Sequence, residues 1–380
     1  IEKYLGAGYK CLASFGHLTQ LPGLKNISPY VGGESDIVGF DKIIKLASNE
    51  GAFGPSQKTI EAINNSIKDS HRYPDGDSQE LREVISQKYS LELGRLVCGC
   101  GSDELINLLC RTYAAPGDEI VHTAHGFAMY PIYAKTVGAI PIAAPENDIT
   151  ASVSNIVNAV SEKTKLVFIA NPNNPTGTYL PASKLISLHQ QIPSNVLLII
   201  DSAYAEYVQE EDYSTGIELA KQNNNIIMLR TFSKIYGMGG IRLGWGYFPK
   251  EVADILNRVR SPFNVSFVAQ AAGLAAIQDD EFVEKSQNHN DRFLKWTTEK
   301  LRSLGLVVPD SFGNFVLVRF PNGENEKDDH KSAENADAHL KSCGIIVRRL
   351  AGYGLPDALR ITIGTEEEMM SVINSITEFL

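Results

Sequence analysis

No apolar run in the 380 residues approaches the roughly 20 that a helix needs to cross a bilayer, so no helical membrane span is expected. A basic tract is missing too. The 45 acidic and 35 basic residues leave a net charge of −10, and no stripe of lysine and arginine interleaved with aromatics occurs, which argues against a nucleic-acid partner. Cysteine is scarce: Cys11, Cys98, Cys100, Cys110 and Cys343 form no paired metal-type spacing, so no metal is expected. An odd number of thiols in a long chain fits a reducing, cytoplasmic setting. No Gly-x-Gly-x-x-Gly follows a strand, because Gly237-Met-Gly-Gly240 comes after a lysine and breaks that spacing; a dinucleotide enzyme is disfavoured. Internal repeats are absent, and low complexity is confined to an Asn-rich and an Asp/Lys-rich loop. The opening Ile1-Glu-Lys-Tyr4 has neither an initiator methionine nor a signal-peptide core and reads as a truncated start; the short N-terminus leaves no room for a DNA-binding helix-turn-helix.

What is present is enough hydrophobic material, 43% of the chain, for a large core and a companion unit. Short apolar runs at residues 119–122, 166–169, 196–200, 226–229 and 243–247 alternate with helical or loop segments. This pattern predicts an α/β fold, with a mostly parallel central sheet flanked by helices over residues 55–275. Residues 218–225 read as a helix end, and 282–304 as a long amphipathic helix leading into a smaller α+β unit spanning 276–380. That unit is expected to hold strands at 315–319 and 345–348, a solvated loop at 321–331 and a closing helix at 365–380. Residues 1–54 form an N-terminal arm expected to pack on it, so the small unit is built from both chain ends.

The chemistry concentrates in a few segments. Lys234 lies in Thr231-Phe-Ser-Lys234, eight residues before Arg242. A primary amine condenses with an aldehyde only when neutral, and burial beside a cation such as Arg242 disfavours the ammonium form. Asp201 follows the buried run 196–200, at the carboxyl end of a predicted parallel strand, where ligands of open sheets sit. A carboxylate there can keep a pyridine nitrogen protonated. Tyr204 and Asn174, the latter in Asn171-Pro-Asn-Asn174-Pro-Thr-Gly177, can hydrogen-bond a phenolic oxygen. Gly99-Cys-Gly-Ser102-Asp103-Glu104 reads as a glycine turn opening an amphipathic helix, and helix N-termini bind phosphates. The amides of Ser102 and Asp103, the hydroxyls of Thr231 and Ser233 and the Arg242 guanidinium would complete that seat. Phe127 is placed to stack on a ring face. Together these are the requirements of pyridoxal 5′-phosphate.

In this order, the residues resemble a fold-type I pyridoxal-phosphate-dependent aminotransferase from about residue 26 to the C-terminus. The sequence is most similar to histidinol-phosphate aminotransferases, through His71-Arg-Tyr73-Pro-Asp-Gly-Asp77, Cys98-Gly-Cys-Gly-Ser-Asp-Glu104, His125-Gly-Phe-Ala-Met-Tyr130, Gly344-Ile-Ile-Val-Arg348 and Leu359-Arg-Ile-Thr-Ile-Gly364. The resemblance implies that Lys234 is the Schiff-base lysine, Asp201 the pyridine partner, and Tyr204 and Asn174 the phenolate donors. It implies that Tyr73 reaches the cofactor phosphate of a neighbouring subunit in a homodimer. It further implies that Arg348, Arg360 and Tyr30 bind the phosphate ester of L-histidinol. Arg349 follows Arg348, and strand alternation lets only one of the two face the site. Where relatives read Asn-Glu-Asn-Pro, this chain has Asn49-Glu-Gly-Ala-Phe-Gly-Pro55, which loses a proline; a looser backbone is expected there.

The expected reaction is transamination between L-histidinol phosphate and 2-oxoglutarate, with glutamate as the other amino donor and a ping-pong cycle. An aromatic-amino-acid aminotransferase and an O-phospho amino acid decarboxylase of the same fold are the rival readings within the class. A regulator or inactive scaffold that keeps the fold is disfavoured by the intact lysine, acid and phenolate donors.

Overall fold

A computed structural model describes residues 24, 27, 32–40, 42–321 and 329–380; the expected substrate residue Tyr30 lies outside them. Its strands, in chain order, are β1 (Ile44–Lys45), β2 (Leu96–Gly99), β3 (Glu119–Thr123), β4 (Ile140–Ala144), β5 (Thr164–Ala170), β6 (Leu197–Asp201), β7 (Ile226–Thr231), β8 (Gly244–Tyr247), β9 (Phe315–Arg319), β10 (Ile345–Ile346), β11 (Arg348–Arg349) and β12 (Ala358–Thr362). Seven of them form the large sheet in the order β2-β8-β7-β6-β5-β3-β4. The pairs β3–β4, β3–β5, β5–β6 and β6–β7 are parallel, and only β8 runs against its neighbours β2 and β7. The mostly parallel α/β sheet expected from the apolar runs is present.

Alternation within those runs explains why the sheet is covered on both faces. In β6, Leu198 and Ile200 point into one core with Leu81, Ile85, Leu185 and Leu188 from helices on that side. Ile199, between them, points into a second core with Leu105, Leu109, Ala134 and Leu256 from helices on the other. Sequence reading missed β2 and β4. β2 is four residues long and merges into a glycine turn, whereas β4 is an edge strand that tolerates Pro141 and is rich in alanine.

A smaller antiparallel sheet, in the order β11-β12-β9, and the parallel pair β1–β10 lie in the other part of the chain. Leu46 from the N-terminal segment shares a core with Phe293, Leu340, Ile345, Leu359 and Ile373. The long helix expected at 282–304 runs Asp280–Ser303. The closing helix is Glu366–Phe379, started by a capping box in which Thr365 and Glu368 satisfy each other's backbone donors. The single strand expected at 345–348 is corrected: Ile345–Ile346 pairs with β1, whereas Arg348–Arg349 pairs with β12. Buried Val347 is the crossover between the two sheets, a division that side-chain periodicity does not reveal.

One buried ion pair braces the site-bearing strand ends. Arg230, the penultimate residue of β7, bonds Glu206 at 2.6 Å, with side-chain exposures of 6% and 9%. Its guanidinium also lies over Tyr89 and Trp245. The pair thus joins the loop after β6 to β7, between Tyr204 and Thr231. Removing one member leaves a buried charge unanswered, so Glu206→Ala is expected to lose about 3–5 kcal/mol of stability, with the double change Glu206→Ala/Arg230→Met recovering most of it. Urea unfolding of the three proteins checks this; a single-mutant loss below about 1 kcal/mol would rule out the brace.

Candidate active site

The carboxyl ends of β2, β3, β5, β6 and β7 open on the same edge of the sheet, and antiparallel β8 begins there. That edge holds a cavity of about 410 Å³, the size range of small-molecule sites. Ser102, Asp103, Phe127, Asn174, Asp201, Tyr204, Thr231, Ser233, Lys234 and Arg242 all line it, joined by Ser48, Glu50, Met129 and Ala203, to which the sequence reading assigned no part. Tyr73, Arg348 and Arg360 do not line it.

Lys234 comes from the turn after β7. Its Nζ donates to the carbonyls of Ser48 and Asn49, at 3.3 and 3.4 Å, and lies 5.6 Å from the centre of the Tyr204 ring. Burial, then the positive charge of Arg360, hold its pKa down at about 8; Glu50 opposes them and Arg242 adds a smaller push. The expected cation beside the lysine is therefore chiefly Arg360, which comes from the distant strand β12.

Asp201 is itself the last residue of β6, fully buried, with Oδ2 accepting from the Tyr130 hydroxyl at 2.8 Å. Its Oδ1 is buried with no hydrogen-bond partner. Burial raises the carboxyl to about 6, and the Tyr130 hydroxyl holds it back from rising further. Tyr130 stood in a quoted motif without a role; nothing local marks it as different from a core aromatic, since its partner is 71 residues away.

Asn49 Nδ2 donates to the Tyr204 hydroxyl at 2.8 Å, leaving the phenol's own hydrogen for an acceptor in the cavity. Asn174 Oδ1 accepts from Arg360 Nη1, so its amide nitrogen is the donor it can offer. The second Arg360 nitrogen, Nη2, donates to the Ala47 carbonyl at 2.6 Å. Segment 47–50 is thus a strap between Arg360 and Lys234. The looser backbone expected from the missing proline is not found: Asn49 is buried, its amide bonds Thr362, and Asn314 holds the carbonyls of Asn49 and Glu50. Gly51 lets the strap lie against the lysine turn, because a Cβ there would stand 3.0 Å from the Lys234 carbonyl.

At the other end of the cavity, helix Ser102–Tyr113 starts against β8 so closely that a Cβ on Gly244 would be 2.2 Å from the Ser102 nitrogen. Arg242 takes a left-handed backbone, φ 61°, and its Nη1 donates to the Gly239 carbonyl at 2.8 Å and to Ser233 Oγ at 3.5 Å. Strain of this kind is retained where surrounding structure imposes it. The Asp103 carboxylate, which lines the cavity beside Arg242, accepts from the Tyr133 hydroxyl at 2.5 Å. Phe127 forms a wall, edge-on to Tyr130.

These features fit pyridoxal 5′-phosphate. The orphaned Asp201 Oδ1 suits a protonated ring nitrogen, Tyr204 and Asn174 retain donors for a phenolate, and the helix N-terminus with Arg242 suits a dianion. Among the described residues no cluster suited to a metal ion occurs, and no helix is long and apolar enough to cross a membrane.

Arg348 and Arg360 are directly opposed in the β11–β12 pair, which puts them on one face of the sheet. Arg349, on the other face, bonds Glu334 at 3.0 Å. Tyr73 is 81% exposed and stacks on Phe263, with ring centres 4.6 Å apart.

Residues 41–376 match the family model described as aminotransferase class I and II. The chain is 54% identical over 359 residues to the histidinol-phosphate aminotransferase of Paramagnetospirillum magneticum, covering 94% of this chain and 98% of that protein. It is 51% identical to the enzyme of the same name from Rhodospirillum rubrum, covering 94% and 96%. Among solved structures, the histidinol-phosphate aminotransferase of Sinorhizobium meliloti in complex with pyridoxal-5′-phosphate superposes with a TM-score of 0.86 at 25% identity, covering 97% of this chain and 98% of that one. The aspartate aminotransferase of Thermus thermophilus shares the fold, with a TM-score of 0.78 at 21% identity over 89% and 92% of the two chains.

The lowered Lys234 pKa sets a pH dependence. Between about 8 and the ordinary 10.5 the unfolded chain holds a proton that the folded chain lacks, so stability of the cofactor-free protein rises with pH through that window. Lys234→Met is expected to flatten this rise and to gain up to about 3 kcal/mol at pH 7, read from urea midpoints between pH 7 and 9.5. An unchanged slope would mean that the amine is fully hydrated.

Proposed function

The chain belongs to the class I and II aminotransferase family, and on that premise we propose that it transfers the amino group of L-histidinol phosphate to 2-oxoglutarate, giving imidazole acetol phosphate and L-glutamate. The enzyme is an aminotransferase with pyridoxal 5′-phosphate as its cofactor. The observation that carries the substrate assignment is the pairing of Arg348 with Arg360 on one sheet face. Two guanidiniums so placed repel each other, and a phosphate dianion bridging them offsets that repulsion where a monoanionic carboxylate would do so only in part.

When bound, the cofactor supplies an aldehyde that takes up the amino group and a ring that accepts electrons. The chain's residues do the rest. Asp201 Oδ1 keeps the ring nitrogen protonated, and Tyr130 keeps Asp201 ionised. The amides at Ser102 and Asp103, with Thr231, Ser233 and Arg242, would hold the cofactor phosphate, and Phe127 would cover one ring face. A neutral Lys234 Nζ would take the proton from the substrate's Cα and return it to the cofactor carbon that had been the aldehyde, and the second half-reaction would run this transfer in the opposite direction; its pKa of about 8 leaves part of the amine unprotonated near neutrality. Both half-reactions use Arg360, which Asn174 and Ala47 orient, and only the phosphate ester also needs Arg348. Tyr30 joins those arginines in this reading.

The active form proposed is a cytoplasmic homodimer in which residues 1–54 and 276–380 form the smaller domain around the large domain 55–275. Tyr73, exposed on its own subunit, reaches the cofactor phosphate of the other.

Arg348→Ala is expected to raise KM for L-histidinol phosphate roughly 10- to 100-fold, the loss of one charge-assisted contact, with a much smaller change for glutamate. Equal effects in steady-state kinetics on both substrates would sink the phosphate assignment. For the shared site, Tyr73→Ala and Lys234→Ala proteins, each nearly inactive, should regain about a quarter of wild-type activity after subunit exchange, since a mixed dimer keeps one intact site. No recovery in verified mixed dimers would remove Tyr73 from the partner's site.

A further inference from the structure

Arg348 and Arg360 sit on the two strands of a hairpin, β11 and β12, whose connecting turn, residues 350–357, reaches back to the large sheet. The turn is internally rigid. Tyr353 and Leu355 both donate to the Leu350 carbonyl, and Leu350 donates to Ala358. At its tip the Tyr353 carbonyl accepts from His125 Nδ1 at 2.6 Å. The His125 ring also packs on the turn, since a Cβ on Gly354 would lie in ordinary contact, 3.4 Å from His125 Cε1.

His125 is held from its other sides by the cofactor half of the molecule. Its amide donates to Glu146 Oε1 at 3.0 Å, and its carbonyl accepts from Asn173 Nδ2 at 3.2 Å. Asn173 adjoins Asn174, and His125 is two residues from Phe127, both of which line the cavity. The hairpin tip, Gly352 to Gly354, and His125 together line a separate surface pocket on this side of the molecule.

We infer that His125 is a positioning residue for substrate specificity: through Tyr353 it sets the register of the arginine-bearing hairpin against the cofactor-holding loops. The inference rests on the reading of Arg348 and Arg360 as the substrate arginines. A carbonyl can only accept, so Nδ1 carries the hydrogen in the bond, and it does so whether or not Nε2 is protonated. Arg360 has independent holds on Asn174 and Ala47. Arg348 faces Arg360 directly across the hairpin, so the tip sets the position of both; the phosphate ester, which in this reading needs both arginines, is penalised more than glutamate, which needs Arg360 alone.

The test compares His125→Leu, which keeps the bulk and removes the donor, with His125→Asn, whose amide nitrogen replaces Nδ1 on the same carbon. In the holoenzyme, His125→Leu is expected to raise KM for L-histidinol phosphate about tenfold, the effect of one lost hydrogen bond, with kcat and the KM for glutamate within about threefold. Amide exchange over residues 350–355, read by mass spectrometry without substrate, should quicken in His125→Leu. His125→Asn should restore both readouts. Unchanged exchange in His125→Leu, an equal KM rise for the two substrates, or no rescue by His125→Asn would each overturn the inference. If Arg348→Ala leaves KM unchanged while His125→Leu still loosens the turn, the substrate reading fails and the latch remains. If Arg348→Ala raises KM and His125→Leu alters neither readout, the latch alone fails.

Discussion

The Lys234 amine is held where three distant parts of the chain meet, and its loss of water there is the constraint to which the rest of the site answers. The turn after β7 supplies the lysine, the strap 47–50 supplies carbonyls at Ser48 and Asn49, and β12 supplies the Arg360 charge. Desolvation and a nearby cation both oppose the ammonium form, so a side chain that is ordinarily protonated becomes a usable base. Neither effect is available to a lysine on a solvated turn. The strap must therefore lie close, and Gly51 allows it to.

The same economy of space orders the charges around the cavity. A chain with a net charge of −10 places its cations at the two ends, Arg242 with the N-terminus of helix Ser102–Tyr113 at one, Arg360 with Arg348 opposite it beyond the other. The acid between them, Asp201, is buried and braced by Tyr130, and Asp103 is tied back by Tyr133. Each carboxylate is thus a fixed element of the cavity wall. Behind this layer, Glu206 and Arg230 clamp the loop that carries Tyr204 to the end of β7 that carries Thr231.

Much of this was legible from the chain. β5, β6 and β7 each carry an unbroken apolar run, because a strand buried on both faces needs apolar side chains at successive positions, and Asp201 was marked by ending such a run. Glycines and a helix start marked the Ser102 turn. What escaped reading shares a cause. Tyr130 and Asn49 act through partners 71 and 155 residues away, so nothing within a local window separates Tyr130 from a core aromatic. The run 345–348 reads as one strand, yet it divides at Val347 because two different neighbours claim its halves.

The sequence by itself determined the chemical inventory and its placement on strand ends: an amine, an acid, phenolic and amide donors and a glycine turn, each declared by residue type and local pattern. Only the tertiary structure decided which of them act together. It made Arg360 the chief charge on Lys234, gave Asp201 an open oxygen by engaging the other with Tyr130, and set Arg348 rather than Arg349 on the face of Arg360. The physical reason is range. Propensity and periodicity act over a few residues, whereas burial, pKa and strand pairing depend on surfaces brought together from opposite ends of the chain.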